Sequence, residues 1–321
     1  MADLPDHVRH LRSLAGLVNE LIVVDSQSSD GTMEYLRHEL SDCPAVFLDH
    51  PPGLYPSWNH AIAAATQEYL TVATVGDHLP ADSLQELYRT IESFNADAVV
   101  TAPRLIGLES TNRTWPVHHF IEATGIRTPT LVPGPVWLLY ALCYMPNTLL
   151  GSSSANLYRT RLLQEHPFPH EFGHPGDSVW SLQMSLKARW VIHPGVVSYF
   201  TLHEESPHRA TTPRAAFVKI REISREIMEG AQDQLDNLRL PRSLMADIAD
   251  SIQACGELTL VRAQCKSAPS RKLPAFLDFR ARRLRSLRRK LKLERNLRIQ
   301  RLNDYIRQAR LPETTTADPG S

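Results

Sequence analysis

Three aspartates in this 321-residue chain stand where a carboxylate can do chemistry, by accepting hydrogen bonds, holding a divalent ion or taking a proton. Asp25 closes the run ELIVVD (20–25) and precedes SQSSDGT. Leu21, Ile22, Val23 and Val24 form a β-branched block suited to a strand buried on both faces of a parallel sheet. A polar turn follows, with Asp30 or Ser29 placed to cap the next helix. A carboxylate at the carboxyl end of such a strand lies where open α/β sheets bind their ligands. Asp77 ends the apolar run YLTVATV through Gly76, a position that also suits a plain strand-end turn. Asp177, in GDSVW (176–180), starts a helical run and fits an N-cap as well as it fits a reacting group. Gly176 before it lets another group approach the backbone closely.

The elements that must position these residues alternate along the first half of the chain. LIVV leads to a helix near 32–40, AVFLD (45–49) to a helix near 56–66, YLTVATV (69–75) to a helix near 81–94, and then ADAVVTAP (96–103). Such βαβα alternation predicts an α/β fold with a mostly parallel sheet flanked by helices. Residues 104–150 read as irregular. Within them, 131–150 has the length of a membrane span, but Pro133, Pro135 and Pro146 interrupt it, so it reads as core or pocket wall. VIHPGVVSYF reads as a late strand, and beyond about 213 the pattern is helical almost to the end. This divides the chain into 1–212, a helical extension at 213–311, and a disordered tail at 312–321. Cys43, Cys143, Cys255 and Cys265 form no CxxC pair and read as reduced thiols, and no secretory signal opens the chain. These features place the protein in the cytoplasm.

Four of these clusters together resemble the inverting, nucleotide-sugar-dependent family 2 glycosyltransferases of GT-A fold, over roughly residues 5–210. The ELIVVDSQSSDGT run is similar to that family's second strand, which implies that Asp25 contacts the nucleoside, accepting from a base N–H or a ribose hydroxyl. Gly53-x-Tyr55-x-x-x-Asn59-x-x-Ile62 is similar to a stretch that precedes the family's metal-binding strand. It implies that Asn59 hydrogen-bonds the sugar nucleotide and that Tyr55 flanks it, although Ala61, Ile62 and Ala65 suit packing on a sheet. At the metal strand the family has two aspartates flanking one residue; here Thr74 and Gly76 take those places, leaving Asp77 to bind Mg²⁺ or Mn²⁺. Gly176-Asp177-x-x-Trp180 matches the family's catalytic-base segment with one acidic residue, and implies that Asp177 is the base. His203 is similar to the late histidine that reaches the diphosphate. The family's first strand finds no counterpart ahead of residue 20. The implied activity is transfer of a sugar from a nucleotide diphosphate-sugar to an acceptor hydroxyl with inversion, in polysaccharide or glycoconjugate synthesis. A non-catalytic relative that binds a nucleotide-sugar or a partner protein is the alternative.

Charge adds a physical argument. Residues 1–212 carry 12 Lys/Arg against 22 Asp/Glu, while residues 213–321 carry 23 against 13. An acidic body repels a diphosphate unless a divalent ion, or local cations such as Arg104, Arg159 or His203, offset it. Residues 280–310 hold 13 Lys/Arg against Glu294 and Asp304. Leu284, Leu287, Leu291, Leu302, Tyr305 and Ile306 fall on one helical stripe there, with Leu293 and Leu297 off it. Such a helix suits packing on the body, a homodimer contact, or peripheral attachment to the inner face of the membrane; nucleic acid is the least favoured partner.

Overall fold

The computed structural model describes residues 3–107, 114–145, 147–152, 155–201, 214–248 and 279–309. Helix α1 (Leu4–Leu14) starts with a proline in its first turn, where the missing N–H costs nothing, and buries Leu4, Val8, Leu11 and Leu14. Strand β1 (Leu21–Asp25) pairs in parallel with β2 (Ala45–Asp49), and Asp25 stands opposite Asp49. They are joined by α2 (Thr32–Glu39). Alternation puts Leu21, Val23, Ala45 and Phe47 on one face, where they meet Leu4, Val8 and Leu11 of α1 and Leu36 and Leu40 at α2. Helix α3 (Leu54–Ala64) packs on β1 as well. The apolar residues of β1 are half-buried, not fully buried as the sequence suggests. The reason is pairing: among the described residues β1 has β2 as its only ladder partner.

A second, five-stranded sheet forms the centre, in the order β3-β7-β4-β8-β6. Its strands are β3 (Tyr69–Leu70), β7 (Leu157–Arg159), β4 (Ala98–Val100), β8 (Trp190–Ile192) and β6 (Thr130–Val132). Only β4 and β8 run parallel within it; β3–β7, β4–β7 and β6–β8 are antiparallel. A parallel pair, β5 (Arg104–Ile106) with β9 (Tyr199–Thr201), lies apart. The fold is thus a mixed α/β arrangement, less parallel than the alternation predicts. The antiparallel pairings come from residues 130–159, where the alternation is hidden. The expected strand at 69–75 is paired at Tyr69 and Leu70 only.

Helices α4 (Ala81–Ser93), α5 (Pro116–Thr124), α6 (Gly134–Tyr144), α7 (Thr160–Glu165) and α8 (Gly176–Met184) cover the sheet. The segment read as irregular therefore contains two helices and two strands. Pro133 and Pro135 sit at the start of α6, where proline is tolerated, and every residue from Val136 to Tyr144 is buried. Trp137 of α6 stacks on Trp190 of β8 at 4.0 Å between ring centroids, and Trp180 of α8 meets Trp190 edge-on at 5.8 Å. Each indole N–H has an acceptor: Ser181 Oγ, Ser185 O and His166 O for Trp137, Trp190 and Trp180 respectively. Offset and edge-on aromatic pairs add about 0.5–1.5 kcal/mol each beyond their burial, so α8 is held rigidly.

The chain continues through α9 (Arg214–Gly230), α10 (Gln232–Asn237), α11 (242–248) and α12 (Phe279–Gln308). Leu291, Leu302 and Ile306 of α12 are buried while Leu293 and Leu297 are exposed, as the stripe predicts; Leu287 is exposed too. Helix α12 lies on α5 and α6, and the Tyr140 hydroxyl donates to Asn303 Oδ1 at 2.8 Å. Arg301 pairs with Asp247 at 2.9 Å. No helix among the described residues is long and apolar enough to cross a membrane. Cys43 and Cys143 are free thiols.

Candidate active site

Asp25 is buried at the end of β1, and its carboxylate shapes the turn that follows. Oδ2 accepts from the Ser28 N–H at 2.9 Å and Oδ1 from the Ser28 hydroxyl at 2.6 Å. Gln27 takes a left-handed conformation (φ 61°) to make that turn, one that side chains other than glycine and asparagine rarely adopt. Next to Asp25, the Ser26 hydroxyl lies 2.9 Å from that of Ser57, on α3. The end of β1 is thereby joined to the first turns of α3, which also carry Tyr55.

Tyr55 is buried between Trp58 and Phe168, and its hydroxyl donates to the His174 carbonyl at 2.8 Å. That places the phenol beside Asp177, close enough for the carboxylate charge to act on it. The contact explains Gly176. A β-carbon at this position would stand 2.6 Å from the Pro169 carbonyl oxygen and 2.6 Å from Tyr55 Cε2, closer than any real contact. Only glycine lets Tyr55 lie flat against the start of α8.

Asp177 occupies the first turn of α8, with Pro175 as the N-cap residue, so the expected N-cap role shifts by two positions. Its Oδ1 accepts from the Ser178 N–H at 2.6 Å and from the Ser178 hydroxyl at 3.2 Å. The residue keeps part of its surface open, yet protein is dense around the carboxylate, and burial raises its pKa from the ordinary 3.8. The neighbouring His174, the Ser178 donors and the Tyr55 hydroxyl act in the opposite sense and are outweighed. A carboxylate made more basic in this way, at the edge of solvent, is suited to accept a proton.

Asn59 has a different engagement from the one the resemblance implies. Its Nδ2 donates to Phe168 O at 2.8 Å and its Oδ1 accepts from Phe168 N at 3.0 Å, which ties α3 to the loop leading towards Asp177. Asp77 belongs to a second group. It is buried, and Oδ2 accepts from Thr74 Oγ1 at 2.6 Å and from Ser152 Oγ at 3.5 Å. Gly76, at φ 94°, makes the turn, and its carbonyl accepts from Thr201 Oγ1 of β9. Among the described residues no group of three or more His, Cys, Asp or Glu could hold a metal ion by itself. Asp77 fits a different arrangement: one protein carboxylate on an ion whose other ligands are waters and substrate oxygens. His203 lies outside the described residues. Arg159, expected as a cation for phosphates, is bound to Glu68 at 2.7 Å and Asp97 at 3.5 Å.

The structure thus brings Asp25, Tyr55 and Asp177 into one chain of contacts through Ser26, Ser57 and His174. Sequence reasoning missed the last three. Their signal was slight: Ser57 differs from any helix-surface serine only in its distance from Asp25.

Comparisons with known proteins bear on the family and the fold. A family model described as glycosyl transferase family 2 matches residues 2–166. The chain is similar in structure to residues 1–349 of S. aureus TarS in complex with UDP-GlcNAc, with a TM-score of 0.58 at 15% identity, covering 96% of this chain and 88% of that one. Structures of the same TarS segment with UDP and without a ligand give TM-scores of 0.57 at 15% identity and 0.54 at 16%, with the same coverage. The similarity to these structures is one of fold, the GT-A fold. No curated protein matches the chain.

Proposed function

The chain belongs to glycosyl transferase family 2, the enzymes that move a sugar from a nucleotide donor to an acceptor, and within that activity we propose that its donor is a uridine diphosphate sugar and Asp177 its base. The solved TarS complexes hold UDP-GlcNAc and UDP, which makes a UDP-sugar the first donor to try. The observation that carries the reading is Asp177 itself: a carboxylate with a burial-raised pKa, at the edge of solvent, in the first turn of a helix anchored by Trp180 and held at Gly176 against Tyr55.

In the proposed reaction the acceptor hydroxyl oxygen attacks the anomeric carbon while Asp177 takes its proton. The bond from that carbon to the diphosphate breaks on the opposite face, and the nucleoside diphosphate leaves with the bonding pair. One face attacked and the other vacated gives inversion. Asp25, fixed by its Ser28 turn, accepts from the nucleoside. Family 2 enzymes generally use a divalent metal; Asp77 is the residue here that would hold Mg²⁺ or Mn²⁺, which offsets charge on the diphosphate. Tyr55 and Asn59 position the loop and helix that carry Asp177.

The donor half of the chemistry falls within residues 1–212, and the described helices that follow, α9 and α12 above all, buttress it through α8, α5 and α6. Arg285, Arg288, Arg289, Lys290 and Lys292 of α12 are exposed and suit an anionic lipid surface, which would bring the enzyme to membrane-borne acceptors in polysaccharide or glycoconjugate synthesis. Loss of flotation with anionic liposomes when these five are changed to glutamate tests that placement.

The central test is nucleotide release from a panel of nucleotide diphosphate-sugars, wild type against Asp177→Asn. A UDP-sugar should turn over, and the variant should lose about 10²–10⁴-fold, the usual worth of general base catalysis. Unchanged turnover in the variant would remove Asp177 as the base.

A further inference from the structure

The buried face of α12 carries charge at its centre. Leu291, Arg295, Arg298, Leu302 and Ile306 share one arc of the helix by their spacing, so two arginines stand between the leucines that seal it against the body. Arg298 is only 8% exposed, and its Nε and Nη2 atoms are buried without a hydrogen-bond partner among the described residues. Across the seam, on α6, the Tyr144 hydroxyl is also buried; the Asn303 side chain lies beside its oxygen, and its own proton finds no acceptor among the described residues. Tyr144 feels the charge of Arg295, and Asn303 nearby has its carbonyl committed to Tyr140. His119 of α5 stacks on the Tyr144 ring at 6.1 Å. Glu122 of α5, exposed at the rim, is the acidic neighbour of Tyr144.

Two guanidinium nitrogens taken out of water without an acceptor are strongly unfavourable, and a hydroxyl proton buried in the same seam without an acceptor adds to the cost. A small oxyanion would satisfy both, because its oxygens accept from the planar fork of arginine and from a hydroxyl together. We propose that the seam between α5, α6 and α12 binds a phosphate group, held by Arg298 with Arg295 and the Tyr144 hydroxyl. None of these helices carries Asp25, Asp77 or Asp177. Bound there, the anion fastens the C-terminal helix to the body.

Calorimetry and thermal unfolding of the full chain with inorganic phosphate, against chloride at equal ionic strength, test the proposal. Wild type should bind phosphate saturably and unfold at higher temperature as the site fills. Arg298→Met should weaken that affinity at least tenfold, and Arg298→Lys and Tyr144→Phe should weaken it several-fold; the last two serve if the methionine variant does not fold. Glycerol 3-phosphate supplies the second arm. Binding it with the same Arg298 dependence means that the phosphate arrives on a larger molecule, whereas binding inorganic phosphate alone means a free ion. No saturable binding by wild type, or equal affinity in wild type and all variants, overturns the site.

Discussion

Replacing Gly176 by alanine asks directly whether the start of α8 is held where the chemistry needs it. The added β-carbon would meet the Pro169 carbonyl oxygen at 2.6 Å and the Tyr55 ring at 2.6 and 2.8 Å. Ordinary contact begins near 3.4 Å, so the α8 terminus or the ring must move by roughly 0.5–1 Å, and overpacking of this kind costs about 1–3 kcal/mol in stability. Tyr55 cannot swing freely, since its hydroxyl is bound to His174 and its ring is wedged between Trp58 and Phe168. The backbone carrying Asp177 takes up part of the shift. A misplacement of about 1 Å at a reacting group costs about 10²-fold in rate, which is about 2.7 kcal/mol of barrier. We expect nucleotide release by Gly176→Ala to fall about that far in kcat with little change in donor KM, because the donor groups at Asp25 stay in place. Paired steady-state kinetics and thermal unfolding measure both effects. Full kcat with a lowered unfolding temperature would refute the reasoning: the contact would then be packing alone.

Further outcomes follow from the same geometry. Burial raises the pKa of Asp177, so the acid limb of the pH–rate profile should lie above the ordinary carboxylate range, and Asp177→Asn should raise the unfolding temperature at neutral pH but not below pH 4. The sign follows because a carboxyl with a raised folded pKa destabilises the protein once it is ionised. His10 has the opposite shift: burial and the charge of His78 push its pKa down to about 4, and its Nε2 accepts from the Leu79 N–H at 3.2 Å. The stability it contributes is present above pH 6.5 and is lost towards pH 4, on the order of 3 kcal/mol at one-for-one linkage. Chemical denaturation at pH 7 and pH 4 should show that loss shrinking in His10→Gln, and an equal loss in both proteins counts against it. Asp77→Asn should bring UDP affinity with Mg²⁺ down to its value in chelator; calorimetry giving equal wild-type affinities with and without chelator removes the metal role. Asn59→Ala leaves the Phe168 N–H and carbonyl unpaired and should cost about 1–3 kcal/mol of stability with donor affinity intact. Unchanged stability with weaker donor binding would instead put Asn59 on the donor.

Much of the frame was legible because it is local. The continuous apolar run of β1, the turn chemistry after Asp25, and the 3.6-residue stripes of α4 and α12 depend on neighbours a few residues apart. Residues 104–150 were illegible for a related reason. A helix buried all round, such as α6, has no polar face and so no period to read, and its prolines look like interruptions until the first turn is seen to hold them.

The sequence by itself determined the chemical alphabet of this protein: Asp25 at a strand end, Gly-Asp pairs at 76–77 and 176–177, and a basic stripe near the C-terminus. Only the tertiary structure decided what those residues meet. It set Tyr55 against Gly176, 121 positions away, spent the Asn59 amide on Phe168 and drew Arg159 to Glu68 and Asp97. It also buried Arg298 inside a helix seam. The physical reason is that a residue type fixes which bonds a side chain can make, while burial and distance fix which of them it makes and how strongly its charge is felt.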